Sequence, residues 1–319
     1  MTAYGDLAEL EPRAALPVLP GARCVCDPER DLVVALTGSA AVVLRGCFLD
    51  GEVEETVLPL PEGSEAHGLA LRGAVLWVAG RCGDELLLSR DLDDPRGRWV
   101  PLEVPPEVRK KGKAVDDLVL CDRTLLALDD IIFPKYLLRY DVTDPRAPAL
   151  LGRHELPVHG TYERYRRGAC GERAVALLSS TFGRGGTGFH VSFLEREGYR
   201  SRGAFTLHQR GLREGPEEPP VEGVAMVGDQ AVLALGAGGV GVLDAPVVRA
   251  LCETPARQER VLDRLVYERE GIPREALREL PLPGLVVLDV VAVSADVAVA
   301  VVKRPDGSLH ATSVCTRAA

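Results

Sequence analysis

The sequence predicts an all-β fold built from repeated four-stranded units. The phrase Asp-Leu-Asp-Asp-Pro-Arg at 91–96 returns as Asp-Val-Thr-Asp-Pro-Arg at 141–146, and self-similarity at such a period is typical of repeat architectures. Short apolar runs alternate with turns that contain Asp, Pro and Gly, which is the pattern of strands and tight turns. A chain of 319 residues is long enough for one large all-β domain. We therefore expect residues 1–319 to form a single β-propeller.

The clearest repeat predicts four strands, at 115–120, 124–128, 136–142 and 149–156. Further repeats begin near residues 21, 65, 160, 221 and 286. The last repeat has only three strands, and residues 3–11 could supply the fourth from the other end of the chain. Such closure would cover an exposed strand edge that otherwise invites aggregation. The prediction is six four-stranded blades closed by the N-terminal strand, with seven blades as the alternative.

The fifth repeat is interrupted by a predicted helical insertion at 246–280. Thr254 suits a helix N-cap and Pro255 suits the first turn. Val261, Leu262, Leu265 and Val266 lie at helical spacing. A second short helix is expected from Pro273 to residue 280. The apolar stripe would pack on the outer blade surface or bind a partner.

Composition excludes several classes of protein. The net charge of −9 and the pI near 5.3 argue against a nucleic-acid binder, which usually has a basic face. No signal peptide and no apolar run of about 18 residues are found, so we expect a cytoplasmic protein with no membrane partner. The eight cysteines form no Cys-x-x-Cys pair, which favours reduced, buried thiols. The abundance of Arg over Lys, with no Asn, suggests a bacterial source.

The repeat resembles the LVIVD-repeat β-propellers over roughly residues 65–245. The stretch at 137–145, Leu-Leu-Arg-Tyr-Asp-Val-Thr-Asp-Pro, fits their pattern of an apolar strand followed by an Asp-Pro turn. The stretches at 86–95 and 240–244 fit less completely. This resemblance implies a propeller fold and carries over no functional residue, cofactor or activity.

Polar residues are predicted at the mouth of the central channel. Aligning the repeats places there His67, Asp116, Arg167 and Glu222, together with Arg23 and Asp289. Such groups could act in acid–base catalysis or bind a metal. They could equally pair with one another and hold neighbouring blades in register. Six-bladed calcium-dependent lactonases resemble this outline, but they typically use Asn among their ligands, and this chain has no Asn. We expect no metal site and no cofactor.

Aromatic and basic residues are concentrated on three loops that should adjoin on one face. A patch of aromatic and Arg side chains has the composition of interaction hot spots. The predicted partner-binding residues are Phe133, Lys135, Tyr136, Tyr162, Arg164, Tyr165, Arg166, Phe182 and Arg184. We therefore expect a non-enzymatic interaction scaffold or accessory subunit of a bacterial complex. The alternatives are a metal-dependent, lactonase-like hydrolase that uses the channel carboxylates, and a module that binds a small molecule or glycan.

Overall fold

Six antiparallel sheets are arranged as the blades of a β-propeller, as the sequence predicts. The computed structural model describes residues 23–48, 52–109, 115–129, 135–156, 163–183, 186–209, 221–253, 257–261, 264–268, 276–294 and 297–315. The first strand of each blade contacts the first strand of the next, and the sixth blade returns to the first. These six innermost strands therefore surround a central channel.

Each blade is a run of strands that pair in chain order, from the channel outwards. Blade 1 contains β1 (Arg23–Asp27), β2 (Leu32–Leu36), β3 (Ala40–Arg45) and β4 (Glu54–Pro59). Blade 2 contains β5 (Glu65–Arg72), β6 (Val75–Cys82), β7 (Glu85–Asp91) and β8 (Val100–Pro101), and a short helix α1 (Pro106–Arg109) follows it. Blade 3 contains β9 (Asp117–Cys121), β10 (Thr124–Asp129), β11 (Lys135–Asp141) and β12 (Ala149–Leu156).

The second half of the ring follows the same plan with one insertion. Blade 4 contains β13 (Glu163–Cys170), β14 (Ala174–Gly183), β15 (Gly186–Glu195) and β16 (Ser201–Gln209). Blade 5 contains β17 (Gly223–Val227), β18 (Gln230–Ala234), β19 (Val240–Leu243) and β22 (Leu277–Leu280). Between β19 and β22 the chain forms helix α2 (Ala245–Glu253) and the hairpin β20 (Arg257–Val261) and β21 (Arg264–Glu268). Blade 6 contains β23 (Val286–Ala292), β24 (Val297–Lys303) and β25 (Leu309–Cys315).

The middle strands of the blades are apolar without alternation because both of their faces are covered. Every residue of β2 is buried, since blade 1 lies between two neighbouring blades. The outermost strand β4 is exposed at five of its six positions. This gradient from channel to rim explains why the sequence shows short continuous apolar runs. The core is consequently a set of packed layers between blades.

The repeated Asp-containing phrase forms the turn after the third strand of blades 2 and 3. The Asp91 carboxylate accepts a hydrogen bond from the Asp93 backbone N–H at 3.0 Å, and Asp141 accepts one from Thr143 at 2.8 Å. Asp94 and Asp144, the residues before the Pro of each phrase, also accept a hydrogen bond from the N–H two residues later. These side-chain hydrogen bonds favour a turn over continued strand pairing. The role of the repeated phrase is therefore to form a turn.

Ion pairs on the face that carries these turns connect successive blades. They join blade 1 to blade 2, blade 2 to blade 3, blade 3 to blade 4, and blade 4 to blade 5. The pairs are Arg30 with Asp93, Arg146 with Asp91, Arg196 with Asp122, and Arg173 with Asp229. In the second of these, the Arg of the repeated phrase in blade 3 binds the first Asp of the phrase in blade 2. Exposed pairs of this kind stabilise a fold by about 0 to 1 kcal/mol each.

The predicted helical insertion at 246–280 is only partly correct. The described helix α2 ends at Glu253, whereas Arg257–Val261 and Arg264–Glu268 pair as an antiparallel hairpin. Leu277–Leu280, expected to be helical, pairs with Val240–Leu243 as the fourth strand of blade 5. Short apolar runs do not distinguish strand from helix by spacing alone. Pairing with the open edge of β19 outweighs local helix propensity.

Blade 6 has three strands within the described residues, and its outer strand is β25. The proposed closing strand, residues 3–11, lies outside the described part of the chain. In that same part, no helix is both long and apolar enough to cross a membrane.

Deleting residues 1–12 should expose the outer edge of β25 and cause aggregation. A free strand edge offers unpaired backbone groups to other chains. The measurement is size-exclusion chromatography with light scattering, together with thermal melting. A truncated protein that remains monodisperse and melts as the full chain does would show that these residues do not close the ring.

Candidate functional site

The channel is crossed near one end by a buried ion-pair triad. The Arg23 guanidinium donates to the Asp117 carboxylate at 2.5 Å and to the Asp289 carboxylate at 2.9 Å. Arg23 is the first residue of β1, Asp117 is the first residue of β9, and Asp289 lies on β23. The Asp117 and Asp289 side chains are 0% and 2% exposed, and that of Arg23 is 12% exposed. The triad thus links blade 1 to its neighbour blade 6 and, across the channel, to blade 3.

Glycines on three other innermost strands make room for this layer of charges. A Cβ atom on Gly68 would lie 2.7 Å from the Asp117 Cα, and one on Gly223 would lie 2.4 Å from the Asp289 Oδ1. The Gly168 N–H donates to the Asp117 carboxylate at 2.9 Å. The backbones of these neighbouring strands therefore lie close to the Asp117 and Asp289 residues. Glycine is required at these positions by the close approach of the strands.

The charges of the triad perturb one another strongly. Burial alone lowers the pKa of Arg23, but the Asp117 and Asp289 carboxylates more than offset this, so that the net pKa rises. Burial raises the pKa of Asp117, and the charges of Arg23 and Arg167 offset the rise in part. Arg23 is therefore a permanent cation, and its role is to neutralise two desolvated carboxylates.

The channel continues past the triad as a cavity of about 190 Å³. Its walls come from all six innermost strands, and they include residues 24–26, 118–120 and 168–170. Within the described ranges, each innermost strand pairs with one other strand, so its second edge faces the channel. The walls therefore present backbone N–H and C=O groups that can bind water or a small polar solute.

The four predicted channel residues have different surroundings. Asp116 is buried, and its carboxylate binds the Arg164 guanidinium at 2.6 Å. His67 is exposed, and Glu222 is half-buried. Arg167 donates to the backbone carbonyl of Arg166. Repeat alignment selected Asp116, but its neighbour Asp117 makes the cross-channel ion pair. A shift of one residue along a strand reverses the direction of the side chain, which is why sequence reasoning missed Asp117.

Several buried polar atoms at this end of the channel are unpaired. In the described ranges, the Asp116 Oδ2, the Arg23 Nε and the Arg167 Nε are buried with no hydrogen-bond partner. Groups of three or more His, Cys, Asp or Glu side chains placed to hold a metal ion are absent from those same ranges.

The predicted partner-binding residues divide into three groups. Tyr165 is fully buried and Lys135 is 3% exposed, so neither side chain is available on this surface, and both inclusions are corrected. Tyr165 packs with Leu137 and Leu156 in the seam between blades 3 and 4. Lys135 lies two residues before Leu137 on β11 and therefore on the same face of that strand. The side chain of Arg164 is 49% exposed, while Tyr136 and Arg166 are half-buried. The Arg153 guanidinium lies 4.5 Å from the centre of the Tyr136 ring. Phe133, Tyr162 and Arg184 lie outside the described residues, and only the backbone of Phe182 is described.

A buried polar group occupies the seam between blades 3 and 4, and sequence reasoning did not detect it. The Ser179 hydroxyl donates to the Glu163 carboxylate at 2.5 Å, and both side chains are buried. His190 is the cross-strand neighbour of Ser179 and is also buried. Buried polar residues are rare unless they are paired, so this group fixes the register of blade 4. The signal in the sequence was the position of Ser179 and His190 within otherwise apolar strands.

One pair of cysteines departs from the expectation of reduced thiols. Cys121 and Cys170 form a disulfide, with a Cα–Cα distance of 5.5 Å. They end β9 and β13, the innermost strands of blades 3 and 4. The other described cysteines are free thiols. A hydrogen bond to Cys26, together with burial, raises the pKa of Cys24, which keeps this thiol protonated.

The comparisons with known proteins identify the fold alone. No family model and no curated protein matches the sequence. One solved structure, titled "Structure of YjhT", has 12% sequence identity and a TM-score of 0.54, and the match covers 95% of this chain and 97% of that chain. At such low identity, the similarity shows a shared β-propeller architecture and carries no activity or ligand.

Proposed function

We propose that this protein is a non-enzymatic β-propeller that binds another protein, as a scaffold or as an accessory subunit of a bacterial complex. The observation that carries the proposal is that the charged side chains at the channel form ion pairs with one another. Arg23 pairs with Asp117 and Asp289, and Asp116 pairs with Arg164. Charged groups that pair with one another stabilise the ring. Contacts with a partner protein are then expected from the exposed loops.

The proposed binding surface is the face where the loops between β10 and β11 and between β12 and β13 begin and end. Its described members are Tyr136, Arg164 and Arg166. Arg164 is half-exposed although it is paired, and Tyr136 stacks with Arg153. Loops on a rigid scaffold are where binding residues concentrate, and Tyr and Arg are enriched in interaction hot spots.

A pull-down from the native host with the variant Arg164→Ala and Arg166→Ala tests this surface. We expect a specific co-purifying protein to be lost while far-ultraviolet circular dichroism shows that the variant is folded. Some loss of stability is expected, because Arg164→Ala removes the cation from the buried Asp116 carboxylate. The matched control is Arg146→Ala with Arg173→Ala. These side chains are 62% and 63% exposed and lie in the ion pairs of the opposite face. Loss from both variants, or from neither, contradicts the proposed surface.

A small polar ligand is the second candidate, because the Asp116 Oδ2 and the Arg167 Nε are buried and have no hydrogen-bond partner among the described residues. A thermal-shift screen of small acids and amines separates the two proposals. Stabilisation that Asp116→Asn abolishes would favour the ligand over the protein partner. A stoichiometric divalent metal, removed together with a measurable activity, would instead favour the metal-dependent hydrolase.

Membership of the LVIVD-like repeat class and residence in the cytoplasm are further proposals. The first rests on the Asp-Pro turns of blades 2 and 3, and the second rests on composition. Cell fractionation with an antibody against the chain tests the second directly.

A further inference from the structure

We propose that the Cys121–Cys170 disulfide is a reversible redox link that exchanges with small thiols through the channel cavity. The proposal does not depend on the identity of any protein partner. It rests on the position of the two cysteines, on the access to one of them, and on the contacts that hold their surroundings together.

The disulfide joins two blades at their innermost strands. Cys121 is the last residue of β9 and Cys170 is the last residue of β13, and a turn follows each. The Cα–Cα distance of 5.5 Å lies within the range that an ordinary disulfide bridges. The bond therefore closes the seam between blades 3 and 4 where it meets the channel.

Of the two cysteines, Cys170 is the more accessible to a small thiol. Cys121 is 5% exposed, whereas Cys170 is half-buried and its residue lines the channel cavity of about 190 Å³. The incoming thiolate attacks the Cys170 sulfur, and Cys121 leaves as a thiolate that then takes up a proton. A second small thiol cleaves the mixed disulfide and releases Cys170 as a thiol. Two small thiols are thereby oxidised to one small disulfide, and the protein gains two thiols.

Arg196 keeps the two turns together when the disulfide is absent. Its guanidinium binds the carboxylate of Asp122, which follows Cys121, and donates to the carbonyls of Gly171 and Glu172, which follow Cys170. It therefore bridges the same blades as the disulfide. Reduction should then loosen the seam locally and leave the propeller folded.

The role of such a disulfide depends on the redox state of the compartment that holds the protein. A disulfide in a reducing compartment is usually transient and redox-sensing, whereas one in an oxidising compartment is usually structural. A protein that resides in the cytoplasm would therefore use Cys121 and Cys170 as a sensor of the thiol pool.

The test is equilibration of the folded chain in buffers with graded ratios of reduced to oxidised glutathione. Differential alkylation and mass spectrometry then measure the oxidised fraction of Cys121 and Cys170. We expect full, reversible conversion at ratios found in cells, with unchanged far-ultraviolet circular dichroism. Reduction should lower the melting temperature by about 5 to 10 °C.

Two variants separate this pair from the other cysteines. The double variant Cys121→Ser and Cys170→Ser should melt near the reduced protein and show no response to glutathione. Cys252→Ser, at a half-buried cysteine outside the pair, should retain the response. A pair that remains oxidised in excess reduced glutathione, that stays as free thiols in oxidised glutathione, or whose reduction unfolds the chain would overturn the proposal. The alkylation measurement uses the native chain, so it holds even where a variant fails to fold.

Discussion

Replacing Arg23 with methionine is expected to lower the free energy of unfolding by about 3 to 5 kcal/mol, the range for breaking a buried ion pair from one side. The change leaves Asp117 and Asp289 desolvated without their cation, since both side chains are almost fully buried. It also removes a contact across the channel between blades 1 and 3. Denaturant unfolding followed by circular dichroism gives the measurement.

The matched control is Arg81→Met. Arg81 pairs with Glu65 at 2.8 Å, but these side chains are 56% and 63% exposed, so the expected loss is about 0 to 1 kcal/mol. Adding Asp117→Asn and Asp289→Asn to Arg23→Met should recover part of the stability, because no buried ion then lacks a partner. Equal stability of the Arg23 and Arg81 variants would show that the triad does not hold the ring.

The deficit of the Arg23→Met variant should also depend on pH. Burial already raises the folded-state pKa of Asp117, and the loss of Arg23 raises it further. A carboxyl whose folded pKa exceeds its unfolded value takes up a proton on folding, so stability falls as pH rises from the ordinary pKa of 3.8 through the folded pKa. The difference from the native chain should therefore shrink as pH is lowered towards 4.

Replacing Tyr165 with alanine is expected to lower the free energy of unfolding by about 3 to 5 kcal/mol, as for other large buried aromatic side chains. Tyr165 is 0% exposed and packs among Leu137, Leu156 and Leu177 in the seam between blades 3 and 4. Truncation would leave a cavity bounded by two rigid sheets, which cannot collapse to fill it. Thermal and denaturant unfolding measure the effect.

Tyr165→Phe is the control for this prediction, because it keeps the ring and removes only the hydroxyl. We expect it to retain most of the stability. A Tyr165→Ala protein that unfolds as the native chain does, but loses a partner, would return this residue to the binding surface.

The blades could be predicted from the sequence because each one repeats a local pattern. Turn residues such as Asp91 and Asp141 accept hydrogen bonds from backbone groups two residues away. Their structural role can therefore be predicted from the local sequence. The hairpin at 257–268 could not be predicted with the same security. Its apolar residues fit helical spacing and do not alternate, so the local pattern does not indicate a hairpin. Likewise, β22 is a strand because it pairs with Val240–Leu243.

The site was harder to predict because it depends on register between distant strands. Arg23 and Asp289 are 266 positions apart, and only closure of the ring brings them together. Asp116 and Asp117 are adjacent and identical in type, so alignment alone cannot choose between them. Cys121 and Cys170 gave a usable signal, since each stands immediately before the turn that ends an innermost strand. Strict alignment of the repeats would have placed these two cysteines side by side.

The ion pairs that connect blade 3 to blades 2 and 4 have a consequence for how such a chain can arise. Arg146 of blade 3 pairs with Asp91 of blade 2 on one side. On the other side, Asp122 of blade 3 pairs with Arg196 of blade 4. A unit that carries an acceptor on one side and a donor on the other is complementary to a copy of itself, in the manner of a head-to-tail interface. Duplication of one such gene segment yields a neighbour that already fits, and a ring can therefore gain a member without matched changes on both flanks. The constraint falls on the joint between the first and last copies, where Arg23 stands.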